Sequence, residues 1–208
     1  MADWDADSPQ LRRNLARVLA SVKAEADRRV VPSVASARAW QRETMAGLSV
    51  PNPLYVGRFR GKAGLRTVAV TIGGTPGVAP GGVARALREF EARLRAVVAA
   101  LDARYPSASD LDVDGLAAVI DLAAWAHSEW VRIHPFANGN GRTARIWANL
   151  ILMRYGLPPA VRLRPRPDGR YGQACASAMT GEWRPTAAIF RAMVQETISA
   201  APPKSMSP

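Results

Sequence analysis

The side chains best suited to chemistry lie together between residues 134 and 145. His134 can act as a general base near neutral pH, because the imidazole side chain titrates in that range. Arg142 and Arg145 are three positions apart, which places both guanidinium groups on one face of a helix. A guanidinium group can bind two phosphate oxygens at once. A base followed by two arginines therefore predicts transfer of a group from a nucleotide.

Between the base and the arginines, Gly139 and Gly141 flank Asn140 just before a predicted helix. Glycine allows the backbone to approach a ligand closely and to adopt positive φ angles. The N–H groups at a helix start bind anions, phosphate above all. Two arginines in the first turns of a helix oppose its dipole, so an anion in front of them best explains their position. The pattern predicts a phosphate-binding helix start.

Two other phosphate-binding motifs fit this segment poorly. Gly139, Gly141 and Ala144 match the loose dinucleotide fingerprint, but that fingerprint follows a strand, whereas here a helix precedes it. A Walker A loop has a lysine where this sequence has Arg142. A plain turn between two helices explains the glycines, but it does not explain a histidine and two arginines in one turn.

The elements that must position these residues are mostly helical. Apolar residues at helical spacing predict seven helices, over residues 11–22, 35–45, 83–97, 116–133, 142–155, 171–179 and 185–198. Asp112 and Asp114 suit the start of the fourth helix, because acidic residues complement the helix dipole there. The alternating run over residues 67–72 predicts a strand, and Gly73-Gly74 after it predicts a hairpin turn. Residues 162–169, rich in Arg and Pro, predict a loop.

Several residues are expected to serve packing alone. His127 lies two turns before His134 and is predicted to be a core histidine. Cys175 stands in an Ala-rich helical segment and is also expected to be buried. The aromatic residues of the two central helices are predicted to lie in the core or an interface, namely Trp125, Trp130 and Trp147.

Residues 134–145 resemble the signature of the Fic/Doc (Fido) family, His-x-Phe-x-Asp/Glu-Gly-Asn-Gly-Arg-x-x-Arg. The likeness extends upstream to residues 57–60, Gly-Arg-Phe-Arg, which are similar to the segment that leads into the family's flap. Residues 150–158 and Arg170-Tyr171 resemble its later helices. The resemblance implies a mainly α fold, a helical bundle with a β-hairpin flap beside the active-site loop. The expected domain spans residues 10–198, between a flexible N-terminus (1–9) and a disordered tail (199–208).

The resemblance also implies an activity, the transfer of AMP from ATP to a Ser, Thr or Tyr hydroxyl of a target protein (AMPylation). The implied catalytic residues are His134, as the general base, with Asn140, Arg142 and Arg145. The implied nucleotide-binding residues are Gly139, Asn140, Gly141, Arg142 and Arg145, with Tyr171 lining the adenine pocket. Phe136 would anchor the loop in the core as a structural residue.

The flap is expected over residues 66–78, where it would bind the target's backbone as an added strand. The residues implied for this docking are Val68, Val70 and Ile72. The expected partners are thus a target protein on the flap and a separate antitoxin chain.

One position departs from the family pattern, because Asn138 stands where the family has an acid that helps to hold Mg²⁺. A carboxylate is the preferred Mg²⁺ ligand, although an amide oxygen can also coordinate the ion. We expect ATP and Mg²⁺ as cofactors, with Asn138 as a weakened metal ligand. With Asn138 at this position, three outcomes stay open: the enzyme is active with Asn, it prefers another metal or nucleotide, or it is catalytically weak. Transfer of UMP or of phosphate is the nearest alternative reaction.

Self-inhibition is not expected. Many family members carry an inhibitory helix with the motif Ser/Thr-x-x-x-Glu-Gly/Asn, and Ser21 and Glu25 match its first part. Ala26 replaces the final residue, and the segment falls within the first helix of the expected domain. We expect inhibition to come instead from the separate antitoxin chain, as in the toxin–antitoxin class of the family.

Composition limits the remaining classes. The chain of 208 residues can bury its own core, and 48% hydrophobic with 22% charged residues is typical of globular proteins. The single cysteine excludes a disulfide framework, and with only two histidines it argues against structural zinc. The apolar runs are too short to cross a membrane, and the acidic start is unlike a secretory signal. We expect a cytoplasmic bacterial protein, or one delivered into another cell.

The net charge of +11 raises one further class, a basic helical module that binds nucleic acid. The arginines run from Arg12 to Arg191 without a lysine-rich run or an interleaved aromatic platform. Arg142 and Arg145 can bind nucleotide phosphates without any DNA or RNA. We therefore expect the surplus charge to favour an acidic protein partner over nucleic acid or a membrane.

Overall fold

The computed structural model describes residues 8–167 and 169–200. The elements in these ranges are mainly helical, which confirms the predicted fold class. The helices are α1 (Pro9–Asp27), α2 (Val34–Thr44), α3 (Val83–Arg104), α4 (Val113–Ile133), α5 (Asn140–Arg154), α6 (Arg170–Ala178) and α7 (Arg184–Ala200). None of the helices in the described part of the chain combines the length and apolarity needed to cross a bilayer.

Helices α4 and α5 form the centre of the bundle. They pack against each other, α1 and α2 cover α5, and α3, α6 and α7 surround α4. Nearly every residue of α5 is buried, including polar side chains such as Arg142, Arg145 and Asn149. Because buried polar groups need hydrogen-bond partners, the contacts of α5 are specific as well as apolar. The loop that joins α4 to α5 is therefore held by the most enclosed part of the protein.

An aromatic cluster joins these helices to α2 and α3. The indole rings of Trp130 and Trp147 lie 5.7 Å apart, and the ring of Phe90 lies 5.5 Å from each. Trp40 packs edge-on against Trp147 at 4.8 Å. Trp125 is also buried, and it stacks on Phe90. The prediction that Trp125, Trp130 and Trp147 are core residues is thus confirmed, whereas Cys175 is only partly buried.

The ends of the helical region differ from the expected boundaries. Helix α1 already begins at Pro9, because the Ser8 side chain accepts a hydrogen bond from the backbone N–H of Leu11. Helix α7 continues through residues 199 and 200, which were expected to belong to a disordered tail. The remaining parts of the two expected terminal segments, 1–7 and 201–208, lie outside the described residues.

The predicted strand over residues 67–72 is shorter in the structure. Strand β1 (Thr71–Ile72) pairs antiparallel with β2 (Thr75–Pro76), so Val68 and Val70 precede the hairpin ladder. The turn consists of Gly73 and Gly74, both with positive φ, as a two-residue hairpin turn requires. The carbonyl of Val68 accepts a hydrogen bond from Arg60, and this side-chain contact takes the place of strand pairing. The flap is therefore a small hairpin on an irregular stem.

Candidate active site

His134 ends helix α4 in the left-handed conformation, with φ 52° and ψ 56°. Its Nδ1 lies 2.8 Å from the carbonyl oxygen of Val131. A carbonyl can only accept a hydrogen bond, so Nδ1 carries the proton and donates it. In the neutral ring, Nε2 then holds the lone pair. The backbone thus fixes both the orientation of the ring and the tautomer that a general base needs.

The surroundings of His134 favour the neutral ring. Burial lowers the pKa of His134 below its usual value, and the hydrogen bond to Val131 opposes this shift. The positive charge of Arg60 lowers the pKa further. Because desolvation is the largest cause, the ring stays unprotonated at neutral pH and can accept a proton.

Arg60 joins the flap to the end of α4. This side chain is 2% exposed, and its guanidinium group donates to four backbone carbonyls. Nε donates to the carbonyl of His134 at 2.7 Å, and Nη2 donates to that of Ile133 at 3.1 Å. The other two acceptors, Val68 at 3.1 Å and Val78 at 2.8 Å, lie on opposite limbs of the flap. A single buried cation therefore positions the flap relative to the histidine.

Gly77 allows the flap to pass directly against the histidine. A Cβ atom at this position would lie 2.8 Å from Cβ of His134 and 3.3 Å from Cγ2 of Val70. Real Cβ atoms do not approach other atoms so closely, and this limb of the flap therefore requires glycine. The N–H of Gly77 also donates to the carbonyl of Val70 across the hairpin at 3.0 Å.

The loop after His134 is closed by its own side chains. Phe136 is fully buried against Phe59 and Trp130, as expected for an anchor. The Asn140 amide accepts from the N–H of Phe136 and donates to its carbonyl, both at 2.8 Å. The Asn140 side chain therefore holds the loop closed, and the backbone N–H of Asn140 lies at the start of α5. Gly139 precedes the helix with a φ of 87°, a conformation that favours glycine.

The two arginines of α5 are held in fixed orientations at the helix start. Arg142 and Arg145 are 5% and 4% exposed. Nη2 of Arg142 donates to Oδ1 of Asn138 at 2.7 Å, and Nη2 of Arg145 donates to the carbonyl of Leu163 at 3.0 Å. Both side chains line the same cavity, so the helix start presents two ordered cations to it. An anion bound there would meet backbone N–H groups and guanidinium groups together.

Tyr171, which was expected to line the adenine pocket, is buried beside Arg145. Its hydroxyl lies 2.7 Å from Nε2 of His127 and accepts from Nη1 of Arg145 at 3.3 Å. The side chain is 2% exposed and is not among the residues that line the cavity with Arg145. Burial, with a smaller effect of the positive Arg145, lowers the pKa of His127 to about 3. His127 is thus a neutral core residue, as expected, and Tyr171 positions Arg145.

These residues surround one cavity of about 560 Å³. Its walls are formed by His134, the flap residues Val70 and Thr71, the loop over 137–141 and the two arginines of α5. Val68 and Ile72 do not line it, and Ile72 instead packs against the core. A larger groove of about 850 Å³ lies between α6 and α7 and contains none of the predicted site residues.

The sequence analysis missed two members of the cavity wall, Arg164 and Arg166. Both belong to the segment after α5 that was recognised only as a loop rich in Arg and Pro. The carbonyl of Leu163 in this loop binds Arg145, which brings the loop to the helix start. The Arg-rich composition of residues 162–169 was the one sequence signal that further arginines could lie near the site.

The side chains do not fit a protein-bound Mg²⁺ ion. Among the described residues, no carboxylate lines the cavity. The oxygen of Asn138, which was expected to be a weak ligand, already accepts from the positively charged Arg142. No group of three or more His, Cys, Asp or Glu residues in the described ranges is arranged to hold a metal.

Glu25, the residue that matches part of an inhibitory motif, is engaged elsewhere. Its Oε1 accepts a hydrogen bond from the indole N–H of Trp40 at 3.2 Å. It does not line the cavity, in contrast to Arg145. This placement agrees with the expectation that Glu25 does not inhibit the site.

Known proteins resemble this chain both in sequence and in structure. The model of the Fic/DOC family matches residues 33–152. The chain is 43% identical over 82 residues to the protein adenylyltransferase Fic of Nematostella vectensis. This alignment covers 39% of this chain and 19% of that protein. It is 46% identical over 66 residues to the protein adenylyltransferase fic-1 of Caenorhabditis elegans, covering 32% and 13% of the two proteins.

Solved structures share the fold over almost the whole chain. Fic-1 from C. elegans (aa 134–508) aligns with a TM-score of 0.60 at 25% identity, covering 94% of this chain and 53% of that one. The BepC protein of Bartonella tribocorum, a VirB-translocated effector solved with bound AMPPNP, aligns with a TM-score of 0.58 at 17% identity. That match covers 93% of this chain and 90% of BepC.

The chain spans less than a fifth of the length of these two curated relatives. The region that the family model matches nevertheless includes the histidine, the glycine-rich turn and the two arginines of α5, all of which fall within residues 33–152. The family model also covers more than half of the chain, so the protein belongs to the Fic/DOC family.

Proposed function

We propose that the protein transfers AMP from ATP to a Ser, Thr or Tyr hydroxyl of a target protein. The observation that carries this proposal is the shared cavity of His134, Arg142 and Arg145. It combines a neutral histidine, whose Nε2 holds a lone pair, with a cationic helix start. The names of the curated relatives, protein adenylyltransferases, support the same reaction.

In the proposed reaction the target's hydroxyl oxygen attacks the α-phosphorus of ATP. A new O–P bond forms, the bond from the α-phosphorus to the bridging oxygen of the β-phosphate breaks, and pyrophosphate leaves. His134 Nε2 takes the proton of the attacking hydroxyl. Arg142, Arg145 and the N–H groups at the start of α5 stabilise the charge on the phosphates. Such positioning and charge stabilisation supply most of the catalysis in phosphoryl transfer.

The flap is the proposed docking site for the target. Val70 and Thr71 line the cavity on the same side as His134. A target segment that pairs with this limb as an added strand would bring a hydroxyl next to Nε2 of His134. Backbone pairing is largely independent of sequence, so the hydroxyl could belong to any of the three residue types.

We also propose a biological setting, a bacterial toxin or effector that acts in the cytoplasm or in a recipient cell. A separate antitoxin chain would restrain it. The position of Glu25 supports a separate inhibitor, because its carboxylate contacts Trp40 and does not line the cavity.

The test is incubation of the protein with bacterial lysate and ATP labelled on the α-phosphate, beside the His134→Ala variant. We expect a labelled protein band that disappears in the variant. ATP labelled on the γ-phosphate should give no band that depends on His134, which separates AMP transfer from phosphate transfer. UTP labelled on the α-phosphate tests UMP transfer. Absence of His134-dependent label from α-labelled ATP would contradict the proposal.

A further inference from the structure

We infer that this site binds the triphosphate of a nucleotide with arginine side chains in place of a protein-held metal ion, and that Arg164 and Arg166 belong to the binding site. The inference rests on the proposed function only in taking ATP as the nucleotide. It assigns a phosphate-binding role to a loop that lies outside the family signature.

The first observation concerns the position where a metal ligand was expected. Oδ1 of Asn138 is neutral and accepts a hydrogen bond from Arg142 at 2.7 Å. A divalent cation at this oxygen would stand beside a guanidinium group, and the two positive charges would repel each other. With no carboxylate in the described cavity wall, nothing in that wall compensates for this repulsion.

The second observation is the number of cations around one cavity. The buried Arg142 and Arg145 line it from the start of α5, and Arg164 and Arg166 line it from the loop after α5. Guanidinium groups supply both positive charge and paired hydrogen-bond donors, the two things that a metal ion and its ligands provide to a polyphosphate. The free triphosphate carries more negative charge than its Mg²⁺ complex, so a wall whose charged side chains are all arginines favours the free form.

The third observation is that hydrogen bonds hold the loop with Arg164 and Arg166 against α5. The carbonyl of Leu163, immediately before Arg164, accepts from Nη2 of Arg145 at 3.0 Å. Further back, the Asn149 amide donates to the carbonyl of Val161 at 2.7 Å and accepts from its N–H at 3.0 Å. Because these contacts are buried, the loop keeps a fixed position relative to the helix start. Within the cavity wall, Arg164 is half-buried and Arg166 is exposed.

The test measures binding of AMPPNP to the full chain by calorimetry, once with MgCl₂ and once with EDTA. We expect the Kd in EDTA to equal the Kd with Mg²⁺ within about threefold. Arg164→Ala and Arg166→Ala should each raise the Kd in EDTA by about tenfold, the value for one lost hydrogen bond to a charged group. Arg170→Ala is the matched control, because this exposed arginine lies next to the loop but faces the other groove.

Two results would overturn the inference. One is binding that weakens at least tenfold in EDTA or is undetectable there. The other is an unchanged Kd in the arginine variants. If Arg164→Ala fails to fold by circular dichroism, the exposed Arg166 still decides the question through Arg166→Ala and Arg166→Glu. Metal-independent binding without AMP transfer would contradict the proposed function alone, and AMP transfer with metal-dependent binding would contradict this inference alone.

Discussion

The Nε atom of Arg60 donates a hydrogen bond of 2.7 Å to the backbone carbonyl of His134, 74 positions further along the chain. The same guanidinium group binds carbonyls on both limbs of the flap, at Val68 and Val78. His134, the proposed base, and the flap, the proposed docking site for the target, are therefore both hydrogen-bonded to the buried guanidinium group of Arg60. Movement of the flap and of the histidine should be coupled through it.

The first prediction follows from this coupling. Arg60→Lys keeps the charge but cannot reach four carbonyls, so some of them lose their partner in a buried place. We expect a loss of stability of roughly 2 kcal/mol and a loss of AMP transfer of about tenfold or more. Thermal unfolding and the α-label assay measure these two effects. Arg58→Lys, at an exposed arginine two residues earlier, is the control. Equal unfolding temperatures and rates in the two variants would contradict the role of Arg60.

The second prediction concerns the contact between Gly77 and His134. In Gly77→Ala, the added methyl group would lie 2.8 Å from Cβ of His134, so the flap must move outward. We expect transfer to a target protein to fall by about tenfold, because small displacements of reacting groups cost large factors in rate. AMPPNP binding should change little. Gly172→Ala is the matched control, since a Cβ there meets nothing within 4 Å. Full transfer activity in Gly77→Ala would show that the close approach is unimportant.

The third prediction tests Tyr171 as a positioning residue. Tyr171→Phe removes the hydroxyl that contacts both Arg145 and His127, while the ring still fills its place. We expect KM for ATP to rise by about fivefold to tenfold with a smaller change in kcat, because Arg145 loses a contact that orients it. Tyr155→Phe is the matched control, because it removes a hydroxyl that binds Asp102 outside the cavity. This variant should be less stable, but its KM for ATP should not change. A matching rise in KM in both variants would indicate a general structural effect.

Much of this arrangement can be predicted from the sequence, because it depends on neighbours along the chain. Helical spacing predicts the segments that become the seven named helices, and the positions of His134, Arg142 and Arg145 predict one shared turn. The remaining features depend on contacts between distant segments. The Arg60 side chain binds a carbonyl 74 positions away, and Tyr171 reaches Arg145 across 26 positions.

The errors have the same physical origin. The run over 67–72 has a strand-like pattern, but a two-residue ladder forms because Arg60, and not a second strand, binds the Val68 carbonyl. The contact between Tyr171 and Arg145 could not be foreseen either, because local sequence does not reveal which face of α6 is buried. Arg164 and Arg166 line the cavity because contacts between distant residues hold their loop, namely Arg145 with Leu163 and Asn149 with Val161.

The fourth prediction concerns acid stability. The pKa of His127 is lowered by burial to about 3 in the folded protein, whereas a histidine in the unfolded chain titrates near about 6.5. Between these values the unfolded chain binds a proton that the folded protein does not, so stability falls as the pH is lowered through this window. In this window the titration of His127 should change the free energy of unfolding by about 1.4 kcal/mol per pH unit. Urea unfolding of His127→Gln across the window should show a shallower dependence, and an unchanged slope would exclude His127 as its source.

The fifth prediction is Asn138→Asp, which restores the acid of the family pattern. The carboxylate would add a ligand suited to Mg²⁺ and would place a negative charge beside Arg142 and near the phosphates. We expect the Mg²⁺ concentration for half-maximal AMP transfer to fall by about tenfold or more. In EDTA, AMPPNP should bind this variant more weakly than the wild-type chain, because the new charge repels the metal-free triphosphate. Asn52→Asp, at a loop residue outside the cavity, controls for the added charge. If Asn138→Asp leaves both the Mg²⁺ requirement and the binding in EDTA unchanged, residue 138 does not face the phosphates. A lower Mg²⁺ requirement with weaker binding in EDTA would show that this one side chain decides whether arginine or a metal ion neutralises the nucleotide.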